Sequence, residues 1–127
     1  MNASILLIED EPALRNLFEA VLTRAGYTVA TAENGRTAMR ILATRAFDVV
    51  VTDIVMPEQE GIETIMKIRQ LWPGLPIIAM SGGGHVEPER YLRIARSAGA
   101  MRLLAKPFAP ARLLGCVYEL LSPPTTA

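Results

Sequence analysis

Short apolar runs that stop abruptly on a polar residue recur along the chain. Ile5-Leu6-Leu7-Ile8 stops at Glu9-Asp10, Val49-Val50-Val51-Thr52 at Asp53, Ile77-Ile78-Ala79-Met80 at Ser81, and Leu103-Leu104-Ala105 at Lys106. Unbroken runs of this kind, bounded by turn residues, are the pattern of strands covered on both faces. Tyr27 to Thr31 adds a short alternating strand. Between the runs the period changes to that of a helix. Leu14, Leu17, Phe18, Val21, Leu22 and Ala25 fall at i, i+3, i+4 and i+7 spacing, with Pro12 near the start and Gly26 as the stop. A second helix opens at Asn34-Gly35, carries Ala38, Ile41 and Leu42, and ends near Phe47. A third runs from Gly61 to Trp72, a fourth over roughly residues 88–98, and a last one turns Leu113, Leu114, Val117, Leu120 and Leu121 inward. Strand and helix alternate five times. Right-handed crossovers then predict an α/β fold: a five-stranded parallel sheet of order 2-1-3-4-5, doubly wound and flanked by five helices.

In such a sheet the carboxyl ends of the strands share one crevice, where ligands bind. Glu9, Asp10 and Asp53, the Ser81 hydroxyl and the Lys106 ammonium are therefore predicted to converge. Two carboxylates about 4 Å apart repel by roughly 4 kcal/mol at an effective dielectric of 20, so the cluster calls for cations. Oxygen ligands at a partly open site suit Mg²⁺, and Lys106 supplies a second positive charge. Ser81 can turn its hydroxyl toward an anionic oxygen. A metal, a lysine and a hydroxyl around one aspartate make an apparatus for phosphoryl transfer, with Asp53 as the nucleophile.

Composition narrows the alternatives. The 127 residues suit one domain, and half of them are hydrophobic, enough for one core. Formal charge is zero, which implies no general affinity for nucleic acid. That zero is uneven: residues 1–66 hold ten acids and five bases, residues 67–127 three acids and eight bases. Cys116, the single cysteine, falls at an apolar helical position and is expected to be a buried structural thiol. With one histidine there is no zinc constellation. No signal peptide precedes the first strand and no run spans a membrane, so a cytoplasmic protein is expected.

The runs Ile5 to Glu11, Asp48 to Pro57 and Ile78 to Gly82, together with Gly61 and Lys106-Pro107-Phe108, resemble a response regulator receiver domain over residues 3–121. The resemblance implies the flavodoxin-like form of the fold and makes Asp53 the phosphoacceptor. It makes Asp10 a direct Mg²⁺ ligand, Glu9 an acid acting on the metal through water, and the Val55 backbone carbonyl a further ligand. Ser81 and Lys106 would contact the phosphoryl oxygens. The donor implied is a phosphohistidine on a sensor histidine kinase or a histidine phosphotransfer protein. A cis peptide between Lys106 and Pro107 is also expected. Residues 1–122 would form the receiver domain, and residues 123–127 a Pro-containing tail or the start of a linker. The chain departs from the family at Leu103, where a switch aromatic is usual, and in the run Gly82-Gly83-Gly84.

Other features are weighed against plainer roles. Glu11 is expected to face solvent or to support a first helical turn. The three glycines lack the Lys-Ser/Thr of a P-loop and read as a loop, with His85 a loop residue. Arg90, Arg93 and Arg96 form a basic stripe, either a solvated face or a docking surface. The fourth helix, last strand and last helix are the expected output face, coupled through residues 81–85. Two other functions stay open: an interaction module without phosphoryl turnover, and a metal-dependent phosphohydrolase. The second usually wants an acid two residues after its nucleophile, and here Val55 stands there.

Overall fold

The structure, a computed structural model, describes residues 2–54, 60–81, 93 and 95–122. Strands β1 (Ser4–Ile8), β2 (Thr28–Ala32), β3 (Val49–Asp53), β4 (Ile77–Ser81) and β5 (Arg102–Ala105) form one parallel sheet of order β2-β1-β3-β4-β5. Helices α1 (Pro12–Arg24), α2 (Gly35–Thr44) and α3 (Glu60–Leu71) follow the first three strands. Residues 93 and 95–98 belong to α4, and α5 (Pro110–Leu121) closes the fold. The expected five-strand, five-helix architecture is the observed one.

Alternate strand residues face opposite layers, as the period of two requires. Ile5, Leu7, Val49, Val51, Ile78, Met80 and Leu104 pack against Phe18 and Leu22 of α1 and Leu113 and Val117 of α5. Leu6, Ile8, Val50, Ile77 and Ala79 pack on the other side with Ala38 and Leu42 of α2 and Ile65 and Ile68 of α3. The central strands are therefore apolar at nearly every position. Register brings the strand ends level: Ile8 lies beside Ala32 and Thr52, Asp53 beside Met80, and Ser81 beside Ala105.

Some local expectations are corrected. Helix α2 stops at Thr44, not near Phe47, and its C-cap Arg45 is extended. The chain must straighten there, because the Asp48 N–H already bonds the Ser4 carbonyl at 2.8 Å. Phe47 is buried as a loop residue, with the Arg45 guanidinium 4.7 Å from its ring centre. Leu17 is half exposed, since α1 turns its Phe18–Leu22 stripe to the sheet and leaves Leu17 at the edge. Cys116 is only partly buried, though burial still raises its thiol pKa.

Arg69 of α3 ties distant turns together. Its guanidinium donates to the Gly99 carbonyl at 2.8 Å and to the Pro73 carbonyl, joining the end of α3 to the end of α4. Gly99 has φ +131°, and a Cβ there would meet the Arg69 side chain at 2.9 Å.

Candidate functional site

Parity fixes which polar side chains meet. Glu9 continues the Ile5, Leu7 face of β1; Asp53 the Val49, Val51 face of β3; Lys106 the Leu104 face of β5. All three thus end on the α1/α5 side of the sheet, at its carboxyl edge. Lys106 Nζ lies 2.9 Å from Glu9 Oε1 and 3.1 Å from Asp53 Oδ2. Glu9 is fully buried, Asp53 is 5% exposed, and Asp10 stands at the mouth. One oxygen from each of Glu9, Asp10 and Asp53 lies within 4.8 Å of the others.

The supports of Glu9 are complete. Its N–H bonds the Ala32 carbonyl at 3.0 Å, its carbonyl accepts from Arg15 Nη1 at 3.0 Å, and its Oε2 accepts the Glu11 N–H at 3.2 Å. Burial pushes the Glu9 carboxyl up to about 7, and the Asp53 charge adds to this; the Lys106 bond and charge and the Glu11 N–H oppose it. Burial acts to lower Lys106, but its bond to Glu9 and the charges of Asp53 and Glu9 outweigh that and raise it. Lys106 is therefore a firm ammonium, while Glu9 is a reluctant carboxylate. Three carboxylates around one ammonium, with oxygen donors only, fit a divalent cation of the Mg²⁺ kind.

The lysine is itself held in place. The Lys106–Pro107 peptide is cis, as expected. Phe108 stacks on Phe18 at 5.4 Å, and Lys106 Nζ lies 6.0 Å from the Phe18 ring centre. On the other side, Ser81 is fully buried, and its hydroxyl has no hydrogen-bond partner among the described residues. Such a group costs about 1–3 kcal/mol unless something completes it. The acids open into a cleft of about 750 Å³ whose far wall is Leu14, Leu17, Phe18 and Phe108.

Glu9, Asp10, Asp53 and Lys106 thus converge as predicted, and Ser81 ends β4 one residue beyond Met80, the register partner of Asp53. Glu11 is exposed and makes no side-chain cap, as expected of a surface acid. Val55, the glycine run 82–84, His85, Arg90, most of the predicted fourth helix and the tail 123–127 lie outside the described residues. Two contributors were not foreseen. Arg15 sits at a half-buried helical position without motif value, and the Phe18–Phe108 stack joins residues ninety apart.

Comparison with known proteins decides the family. The profile of the response regulator receiver domain matches residues 5–118. The chain belongs to that family. Receiver relatives include the chemotaxis protein CheY of Thermotoga maritima, 35% identical over 121 residues, 94% of this chain and 98% of that protein. The DNA-binding transcriptional regulator NtrC of Rhizobium meliloti is 32% identical over 96% of this chain, which spans only 25% of that longer protein. Among solved structures, the chemotaxis response regulator CheY4 of Vibrio cholerae superposes with a TM-score of 0.83 at 30% identity, covering 95% of this chain and 100% of that one. This is a receiver domain of two-component response regulators. No helix among its described residues is long and apolar enough to cross a membrane.

Proposed function

We propose that this receiver is a phosphoacceptor switch, in which Asp53 takes a phosphoryl group in a Mg²⁺-dependent reaction and protein contacts change as a result. The observation that carries the reading is one lysine shared by Glu9 and Asp53, with a buried Ser81 hydroxyl, unpartnered among the described residues, at the carboxyl end of the neighbouring strand β4. The donor is a phosphohistidine of a sensor histidine kinase or a histidine phosphotransfer protein. An Asp53 oxygen bonds to phosphorus as the N–P bond breaks; the histidine nitrogen keeps the electron pair and takes a proton. Lys106 exchanges its Asp53 contact for a phosphoryl oxygen, and the Ser81 hydroxyl turns to another. Asp10 and Asp53 would hold Mg²⁺ directly, Glu9 through water, and the Val55 carbonyl would complete the protein ligands. When bound, the metal neutralises charge on the phosphoryl oxygens. Water later splits the acyl phosphate, so the domain acts on itself and is not a conventional enzyme.

In this reading residues 1–122 are the receiver domain and 123–127 a tail or the start of a linker. The protein works in the cytoplasm, and its output face is α4, β5 and α5. Incubation with acetyl phosphate and Mg²⁺ should give a single acid-stable, base-labile adduct that maps to Asp53. An unlabelled protein would instead be an interaction module. Steady phosphate release without an adduct would point to a phosphohydrolase. Hydrogen exchange with a beryllofluoride mimic should change along residues 81–98.

A further inference from the structure

The phosphoryl site leaves a basic groove between α2 and α3 unexplained. Arg36, Met39, Arg40 and Ala43 of α2 line it at i, i+3, i+4 and i+7, facing Glu63 and Lys67 of α3 across about 800 Å³. Three cations meet one carboxylate. Arg36, Arg40 and Lys67 are all exposed, and among the described residues none of them makes an ion pair; both ion pairs there belong to Lys106.

Folding accounts for part of this lining, since Met39 packs on the core and Glu63 stands one turn before Lys67 on α3, but it gives no reason for Arg36 and Arg40. Arg36 lies in the first turn of α2, where the helix dipole favours an acid and none is present. Arg36 and Arg40 are like charges one turn apart, which weakens a helix. Helix α2 contains no acid at all, although acids outnumber bases ten to five in residues 1–66. Asn34 caps α2 by accepting the Thr37 N–H, so the helix start is otherwise well made, and two like charges that serve neither the dipole nor each other mark a surface kept for function.

We propose that the α2–α3 groove docks an acidic segment of a partner protein. Its carboxylates meet Arg36, Arg40 and Lys67, and its apolar residues rest on Met39 and Ala43. Charge complementarity selects this occupant. The two guanidinium groups match carboxylates bidentately at one-turn spacing, and the methionine adapts to varied apolar side chains. Nucleic acid fits worse: no aromatic ring lines the groove for stacking, and Glu63 on its wall repels a phosphate backbone.

The test is an NMR and calorimetric titration of the full chain. The probe is a synthetic helical peptide with glutamates one turn apart and leucines between them. A peptide with lysine in place of each glutamate and a DNA duplex serve as comparators. Amide shifts should cluster at residues 34–43 and 63–67, and affinity should fall as salt screens the charges. Arg36→Gln combined with Arg40→Gln should weaken binding about tenfold or more, a loss of about 1.4 kcal/mol. That variant should melt no lower than wild type and label at Asp53 as before. Unchanged affinity in the double variant overturns the proposal. So do shifts confined to the α4–β5–α5 face, absence of peptide binding, or tighter binding of the duplex.

Discussion

Gly61→Ala should damage this domain out of proportion to one methyl group. Gly61 is buried at the start of α3, and a Cβ there would lie 2.4 Å from Ile54 Cα, 2.6 Å from the Asp53 carbonyl oxygen and 2.8 Å from the Ile54 carbonyl carbon. All three atoms are backbone, so no side chain can swing aside. Carbon atoms in good contact sit about 3.5–4.0 Å apart, so helix and strand end must separate by roughly 1 Å. Overpacking of this kind costs about 1–3 kcal/mol. For a domain of this size that is a fall of roughly 4–12 °C in Tm. The displaced backbone is that of Ile54 and of the Asp53 carbonyl, and a shift of about 1 Å in a reacting group can cost about a hundredfold in rate. Thermal and urea melts, with the rate of acetyl phosphate labelling, measure both effects. Two other glycines calibrate them, because a Cβ at Gly74 or Gly115 meets nothing within 4 Å. Gly74→Ala should lie within about 0.5 kcal/mol of wild type. Gly115→Ala, inside α5, should stabilise by about 0.5–1 kcal/mol. A Gly61→Ala protein that melts and labels like wild type would refute the steric argument.

Asp53→Asn should abolish labelling while stability holds or rises, since an isosteric amide relieves a crowded acid cluster; a phosphodonor assay and a melt check the two halves. Asp10→Ala should remove most Mg²⁺ affinity, read by calorimetry, and unchanged binding would exclude Asp10 as a ligand. In metal-free buffer Glu9 should make stability fall with rising pH. Its folded pKa of about 7 lies above the ordinary 4.5, so its contribution is full below 4.5 and lost as pH passes 7. Glu9→Gln should flatten that part of the profile, which urea melts from pH 5 to 8 would reveal.

The parts of this molecule legible in its sequence are those written locally. Apolar runs such as Val49 to Val51 announce strands covered on both faces, and alternation with helices restricts the sheet to few orders. Because ligand chemistry gathers at strand ends, Glu9, Asp10, Asp53 and Lys106 could be grouped before any distance was known. What escaped depends on partners far along the chain. Helical spacing marks Leu17 as apolar, but the angle at which α1 meets the sheet decides that it stays half exposed. Nothing near Arg15 says that its guanidinium caps the Glu9 carbonyl, or near Arg69 that it holds the turn at Gly99. The role of Gly61 is similarly hidden, because its backbone is not in the left-handed region and only proximity demands the missing side chain.

The parity that joins Glu9, Asp53 and Lys106 also makes the site a proofreader of its own assembly. Each stands two residues beyond a core side chain on the α1/α5 face: Leu7, Val51 and Leu104. If β3 paired one residue out of step, every side chain would change faces. Asp53 would enter the apolar layer against α3, and Ile54 would face the lysine. An unpaired buried carboxylate is among the heaviest penalties a fold can incur, and Lys106 would be left with Glu9 alone. A mispaired sheet is thus not a silent, inactive alternative but an expensive one. The same three charges that equip the crevice for chemistry help to ensure that only one alignment of the strands survives.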